Sequence, residues 1–284
     1  MERMQSINQQ RFNQASELLT SFNEKFAGME ELKQFLHAEL VRVSAALAEG
    51  ESPDKLLPGP IILSGAPGTG KTTAAKMLSE MYYTLGLLDS AVPAGYAPFE
   101  FRSAFVGESV KRVQAFVRDA REHRELLFVD EAHVLIDPSM KEVFCALMAS
   151  LTDESHSFLV VLAFYPEYLD QLLQLDPGAA RRFRVIHLPN YSGEELYRIF
   201  HKKLDSEYRV SDDADRLLRR IFESLASLPP ERSANARIAE KMVMELRERC
   251  RKRCIQMQIP DMEKRIVEED DIPQHYLDLL QNET

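Results

Sequence analysis

The chain has 284 residues, 45% hydrophobic and 28% charged, a size and balance that allow one sizeable α/β core with a smaller appendage and exclude a fibrous or disordered protein. A formal net charge of -10 argues against broad attraction to nucleic-acid backbones and favours protein partners. Three cysteines, Cys145, Cys250 and Cys254, are too few for a disulfide framework and fit a reducing compartment, so a cytoplasmic location is expected; the longest apolar run, Phe158 to Phe164, falls far short of the ~20 residues that span a bilayer, and no membrane segment is expected.

From the N-terminus, apolar residues recur at helical spacing in two groups, Phe12, Ala15, Leu18, Leu19 and Phe22, then Leu32, Phe35, Leu36, Leu40, Val43 and Leu47. They predict two helices, broken at Phe26-Ala27-Gly28-Met29. Turn formers from Gly50 to Asp54 and at Pro58-Gly59-Pro60 lead into a short apolar run, Ile61-Ile62-Leu63. Similar runs follow at 126–129 and 158–162, with a fourth at 185–188. Such unalternating runs suit strands buried on both faces of a parallel sheet. Helical patterns at 71–85, 109–122 and 139–152 lie between them, so the expected fold is a doubly wound parallel α/β sheet. After Pro189 the pattern is helices only, at 193–206, 211–227 and 233–255. The expected division is an N-terminal helical segment 1–22, an α/β domain 23–190 and a helical domain 191–284.

Residues 65–72, Gly65-Ala66-Pro67-Gly68-Thr69-Gly70-Lys71-Thr72, match the phosphate-loop pattern in full, directly after a predicted strand and before a helix. Glycines let the backbone curl until its N–H groups and the helix N-terminus surround phosphates. Gly65, Pro67, Gly68, Thr69, Gly70, Lys71, Thr72 and Thr73 are therefore the expected ATP-binding residues. Lys71 neutralises the β and γ phosphates, and Thr72 offers a hydroxyl to Mg²⁺. The strand 126–129 runs straight into Asp130-Glu131, two carboxylates at the edge where open α/β sheets hold ligands. Asp130 is expected to help hold the metal shell, and Glu131 to orient and polarise the attacking water.

The order and spacing of GAPGTGKTTAAKMLSEMYYTLGLL (65–88), FVGES (105–109), LLFVDEAHVL (126–135), VVLAFYPEYLD (160–170), DPGAARRFRVIHLPNYSGEEL (176–196), SANAR (233–237) and EEDDIP (268–273) resemble the AAA+ ATPases, within them the CbbX/CfxQ group. That group includes the red-type Rubisco activase, the stage V sporulation protein K and ATPases of ESX secretion systems, and the resemblance covers roughly residues 22–273. It implies a P-loop domain followed by a helical lid. It also implies a homo-oligomeric ring, most simply a hexamer, that uses ATP hydrolysis to remodel or thread a protein substrate. Phe105, Val106 and Gly107 stand where such proteins carry a pore loop that grips polypeptide. Arg182 matches the arginine finger that reaches a neighbouring subunit's site, with Arg181 and Arg184 as the alternatives. Arg237 matches the sensor-2 arginine that contacts phosphates of its own subunit, and Phe26 to Met29 matches the segment bordering the adenine.

The sequence also departs from that group. Ala163-Phe164-Tyr165 replaces its usual Ala-Gly-Tyr and offers no sensor-1 asparagine, which leaves Tyr165 as the candidate; Ala180 and Glu108 replace an arginine and a histidine. Asp130-Glu131-Ala132-His133 spells a helicase box, but a second RecA-like domain and its arginine segment are missing. His133 reads as a residue leaving the strand end, and the Cys250/Cys254 pair as partly buried thiols. A DNA-acting loader or initiator would be expected to carry a basic appendage, against the acidic balance. A nucleotide-dependent regulatory scaffold is the other alternative, and the presence of Glu131, Arg182 and Arg237 speaks against a dead site.

Overall fold

The computed structural model describes residues 2–102, 108–151, 158–175, 178–204, 208–229, 234–259 and 265–281. The chain divides into two compact units, one of Met1–Lys25, Met29–Gly65 and Gly70–Leu188, the other of Phe26–Gly28, Ala66–Thr69 and Pro189–Thr284.

In the first unit, helices α1 (Glu2–Lys25) and α2 (Glu30–Ala48) form where apolar side chains recur every three or four residues, so that each presents an apolar stripe. Ala15, Leu19 and Phe22 of α1 and Leu32, Leu36, Leu40 and Val43 of α2 are buried. Each of the larger side chains contributes about 1.5–3 kcal/mol on leaving water. Helix α1 packs on α2 and on α3 (Lys71–Thr84), which makes it an integral layer of this unit. Glu39, a buried acid on α2, is satisfied by the Arg42 guanidinium at 2.7 and 2.8 Å and by the Tyr82 hydroxyl at 2.8 Å.

The sheet consists of β1 (Ile61–Ser64), β2 (Ala94–Tyr96), β3 (Leu126–Val129), β4 (Leu159–Phe164) and β5 (Arg184–His187). Every pairing is parallel, and the strand order is β2-β3-β4-β1-β5. All residues of β1, β3 and β4 are buried, as their unalternating apolar runs require. Strand β2 escapes the sequence reading because Ala94-Gly95-Tyr96 has no apolar run; it pairs on one side only, at the sheet edge. Between the strands run α4 (Glu108–Glu122), α5 (Lys141–Ser150), α6 (Leu169–Leu175) and the short α7 (Ala179–Arg182). Helix α5 starts two residues later than the apolar pattern suggests. Residues Pro138–Met140 form a separate tight turn there, capped by the Asp137 carboxylate, which accepts the Ser139 N–H at 2.8 Å. Because β4 lies between β1 and β3, the C-terminal ends of these three strands are neighbours, and the loop after β1 starts beside them.

The second unit holds α8 (Gly193–Leu204), α9 (Asp212–Ala226), α10 (Ala236–Gln256) and α11 (Gln274–Gln281) around Leu196, Phe200, Leu218, Phe222, Met242 and Leu246. Ser211 caps α9, and three aspartates in its first turn complement the helix dipole. The helices-only expectation needs correcting. Arg209–Val210 (β6) pairs in parallel with Ile266–Val267 (β7), and two-residue strands are too short to leave a period in sequence. Cys250 and Cys254 are both buried, and the Cys250 thiol donates to the Ile266 carbonyl at 3.3 Å.

Candidate active site

The segment between β1 and α3 turns through two residues that need glycine. Gly68 has φ 79° and Gly70 φ 91°, conformations that side chains with a β-carbon resist. Space imposes the same choice at Gly68, where a β-carbon would lie 2.4 Å from the Ala234 carbonyl oxygen. Lys71 opens α3, is 8% exposed, and donates to the Gly65 carbonyl at 2.6 Å. Its ammonium also sits 4.6 Å from the centre of the Tyr165 ring, a cation–π contact that holds the charge at the end of β4. The neighbouring Thr72 hydroxyl donates to Asp130 at 3.4 Å.

Strand β3 delivers the two carboxylates. The Asp130 N–H bonds to the Tyr96 carbonyl at 3.0 Å, while the Asp130 side chain accepts the Glu131 N–H at 2.9 Å. Glu131 takes left-handed backbone, φ 50° and ψ 35°, and its exposed carboxylate accepts the Tyr165 hydroxyl at 3.4 Å. Lys71, Thr72, Asp130, Glu131 and Tyr165 are thus brought together at the C-terminal edge of the sheet. His133 lies against them, its ring 4.4 Å from that of Tyr165 and 4.8 Å from that of Tyr168. Burial pushes its pKa below the ordinary value, with Glu131 and Glu167 opposing and Lys71 assisting.

Other expected residues fall elsewhere. Phe105, Val106 and Gly107 lie outside the described residues. Arg181 and Arg182 are exposed on α7. Arg184 begins β5, and its guanidinium stands 5.5 Å from the Phe35 ring of its own chain. Arg237 is exposed in the first turn of α10. Thr73 is half-buried on α3. Met29 is buried at the start of α2 with φ 59°, and Phe26 is half-buried in the second unit.

Two residues enter that the sequence reading gives no role of their own. The buried Asn235 side chain donates to the Pro67 carbonyl and to the Asn190 side chain, each at 3.1 Å, and accepts the Tyr191 N–H at 3.1 Å. The Tyr191 hydroxyl donates to the Thr69 carbonyl at 3.1 Å. Their positions in SANAR and LPNYSGEEL were visible, but nothing local signals bonds that span 122 and 168 residues.

Among the described residues, no group of three or more His, Cys, Asp or Glu side chains is placed to hold a metal ion by itself. A hard cation at Thr72 and Asp130 would need phosphate oxygens and water to complete its shell, which is how Mg²⁺ is commonly bound. The curled glycine backbone, a nearly buried lysine and this hydroxyl–carboxylate pair fit a Mg-nucleotide. Among the described residues no helix is long and apolar enough to cross a membrane.

Residues 61–187 match the family described as ATPases associated with various cellular activities (AAA), and residues 192–282 match an AAA lid domain. The chain is 29% identical over 192 residues to stage V sporulation protein K of Bacillus subtilis, covering 64% of this chain and 58% of the relative. It is 29% identical over 217 residues to the ESX-3 secretion system protein EccA3 of Mycobacterium tuberculosis, covering 72% of this chain and 33% of that protein. The chain therefore spans about a third to somewhat over half of the length of these relatives. Among solved structures, the FIGL-1 AAA domain superposes with a TM-score of 0.61 at 20% identity, covering 91% of this chain and 87% of that one. Its complex with ADP superposes with a TM-score of 0.60, also at 20% identity, covering 90% and 82%.

Proposed function

The chain belongs to the AAA ATPase family, with an AAA ATPase domain followed by an AAA lid domain, and from that premise we propose that it hydrolyses Mg-ATP as a homo-oligomeric ring, most simply a hexamer, to remodel or thread a protein substrate. The observation that carries this reading is the convergence of Lys71, Thr72, Asp130, Glu131 and Tyr165 at the C-terminal ends of β1, β3 and β4. In phosphoryl transfer the protein's contribution is positioning and charge, and each of these residues supplies one or the other.

The backbone of residues 65–73, Gly65, Pro67, Gly68, Thr69 and Gly70 with the start of α3, wraps the phosphates, and Lys71 neutralises the β and γ oxygens. Thr72 and Asp130 would hold Mg²⁺, which supplies further neutralisation of the transferred group. Glu131, exposed and carrying its carboxylate at the strand end, orients and polarises the attacking water. Tyr165, at hydrogen-bonding distance from that carboxylate, takes the sensor-1 position. Arg237 contacts the phosphates of its own subunit. Phe26 and Met29 border the adenine. Arg182 completes a neighbour's site, its exposure supporting this assignment, with Arg181 and Arg184, exposed as well, as the alternatives. Phe105, with Val106 and Gly107, grips the polypeptide. The acidic chain favours protein over nucleic acid as substrate, and the three free cysteines support a cytoplasmic setting.

The names of the relatives tie those proteins to sporulation and to a secretion system, and force applied to a protein is an activity both settings could use. The test is a pore-loop variant. Phe105→Ala should hydrolyse ATP at the basal rate of the wild type but lose retention of polypeptide by a Glu131→Gln ring held in ATP. Equal retention with and without the Phe105 ring would refute the threading role.

A further inference from the structure

We propose that Tyr191 and Asn235 are positioning residues that aim the amides of the phosphate loop at a bound nucleoside di- or triphosphate. The inference rests on the reading of residues 65–72 as that loop, and it deepens it by naming what holds the loop in a binding-ready shape. In a planar trans peptide the C=O and the following N–H point in opposite directions, so a donor that captures a carbonyl also fixes where the next amide points.

Three successive carbonyls at the crest of the loop are captured in this way. The Asn235 side-chain amide donates to Pro67 at 3.1 Å, the Ala236 backbone N–H to Gly68 at 3.2 Å, and the Tyr191 hydroxyl to Thr69 at 3.1 Å. The next amides, those of Gly68, Thr69 and Gly70, are thereby fixed in direction, and those of Gly68 and Gly70 are the ones proposed to face the ligand. The Thr69 N–H closes the turn onto the Ala66 carbonyl at 3.3 Å. In the proposal these captured peptides supply one side of a concave backbone nest of the kind that binds anions.

The choice of side chains fits this task better than a packing role. Asn235 occupies the N-cap position of α10, where asparagine ordinarily accepts an N–H of the first helical turn, yet its side chain makes no cap bond. All of its capacity shown here goes to Pro67, Asn190 and Tyr191 instead. It is 1% exposed and sits at φ 49° and ψ -133°, directly after Ala234 at φ 49°. Two consecutive residues with β-carbons in such backbone are strained, and strain of this kind persists where the surroundings over-determine it. The surroundings here are the loop itself, since the Ala234 carbonyl would touch any β-carbon placed on Gly68. Tyr191 is also fixed, its ring lying against Gly28, where a β-carbon would approach to 2.9 Å. Burial, aided by the charge of Glu195, pushes its phenol up to about 12, so it remains a proton donor at working pH.

The test compares Tyr191→Phe and Asn235→Asp with the wild-type full chain, using ADP as the probe in calorimetric titrations, with thermal unfolding of the nucleotide-free proteins alongside. Each variant should bind ADP about tenfold more weakly, the equivalent of one well-placed hydrogen bond. In Asn235→Asp the ionised carboxylate opposes two acceptor oxygens. Its affinity should therefore recover towards the wild-type value as pH falls and the protonated carboxyl can donate again, a recovery that a mere packing defect would not produce. Wild-type affinity in a folded variant, or a loss in Asn235→Asp that stays the same at every pH, would overturn the proposal. Should Asn235→Asp fail to fold, undiminished ADP binding by Tyr191→Phe would overturn it alone. A folded wild-type chain that takes up no ADP would instead defeat the nucleotide reading, and this inference with it.

Discussion

Glu131 stands in backbone that residues with a β-carbon adopt at a cost of about 1–3 kcal/mol, and it does so at the one position where the carboxylate proposed to orient water leaves β3. The Asp130 side chain, which accepts the Glu131 N–H, and the Glu131 carbonyl, which accepts the Val134 N–H, hold that turn in place. Chemistry written in adjacent letters can be proposed from sequence in this way: Lys71 and Thr72 in the loop and Asp130 and Glu131 at the strand end are marked by local pattern, and the fold brings them together. Tyr191 and Asn235 are not so marked, since their hydrogen bonds join segments far apart in sequence. His133 was legible only as a residue at the strand end, its stacking on Tyr165 and Tyr168 depending on three-dimensional neighbours. Burial lowers its pKa below the ordinary 6.5. Between the folded and unfolded values the unfolded chain binds more protons, so stability rises with pH there and falls as pH drops below about 6.5. The substitution His133→Phe keeps an aromatic ring and removes the titration. Thermal unfolding measured between about pH 7.5 and 5.5 should show the wild type losing more stability on acidification than His133→Phe. Parallel losses would mean that His133 titrates normally.

At the scale of elements, the long amphipathic helices and the buried strands followed their periods, while the edge strand β2 and the two-residue strands β6 and β7 carried too little pattern to read. The late acidic segment, residues 268–273, resembles that of the family, and packing gives it a physical purpose. Asp271 is 1% exposed and pairs with both donors of the Arg253 fork, at 2.9 and 3.0 Å, while Arg253 also donates to the Ile266 carbonyl at 2.7 Å. That one arginine ties the last turns of α10 to β7 and to the turn before α11. The pair holds Arg253 charged, with Asp271 the main cause of its raised pKa. Removing one partner strands the other, and a broken buried pair typically costs about 3–5 kcal/mol. Asp271→Ala should therefore unfold at clearly lower urea, with a loss in that range, whereas a change below about 1 kcal/mol would show that the pair contributes little to the second unit.

For the whole molecule, the parallel sheet was legible because strand and helix alternate up to residue 188, and helices dominate beyond it. Assembly is a different matter, since a surface arginine looks the same in sequence whether it meets water or a neighbour. The ring proposed here makes Arg182 and Lys71 complementary across an interface. Arg182→Ala and Lys71→Ala should each hydrolyse ATP poorly alone, and mixing them should restore part of the rate, because a mixed ring contains interfaces with both residues intact; no gain on mixing would argue against a finger supplied by a neighbour.

All of this depends on nucleotide being held by residues 65–73 and split with the help of Glu131. The most direct measurement is Mg-ATP binding and phosphate release by the purified chain beside its Glu131→Gln variant. Binding by both, with phosphate release reduced by at least about a hundredfold in the variant, is the expected result. Undiminished release from Glu131→Gln, or no nucleotide uptake by the folded wild type with Mg²⁺ supplied, would contradict it.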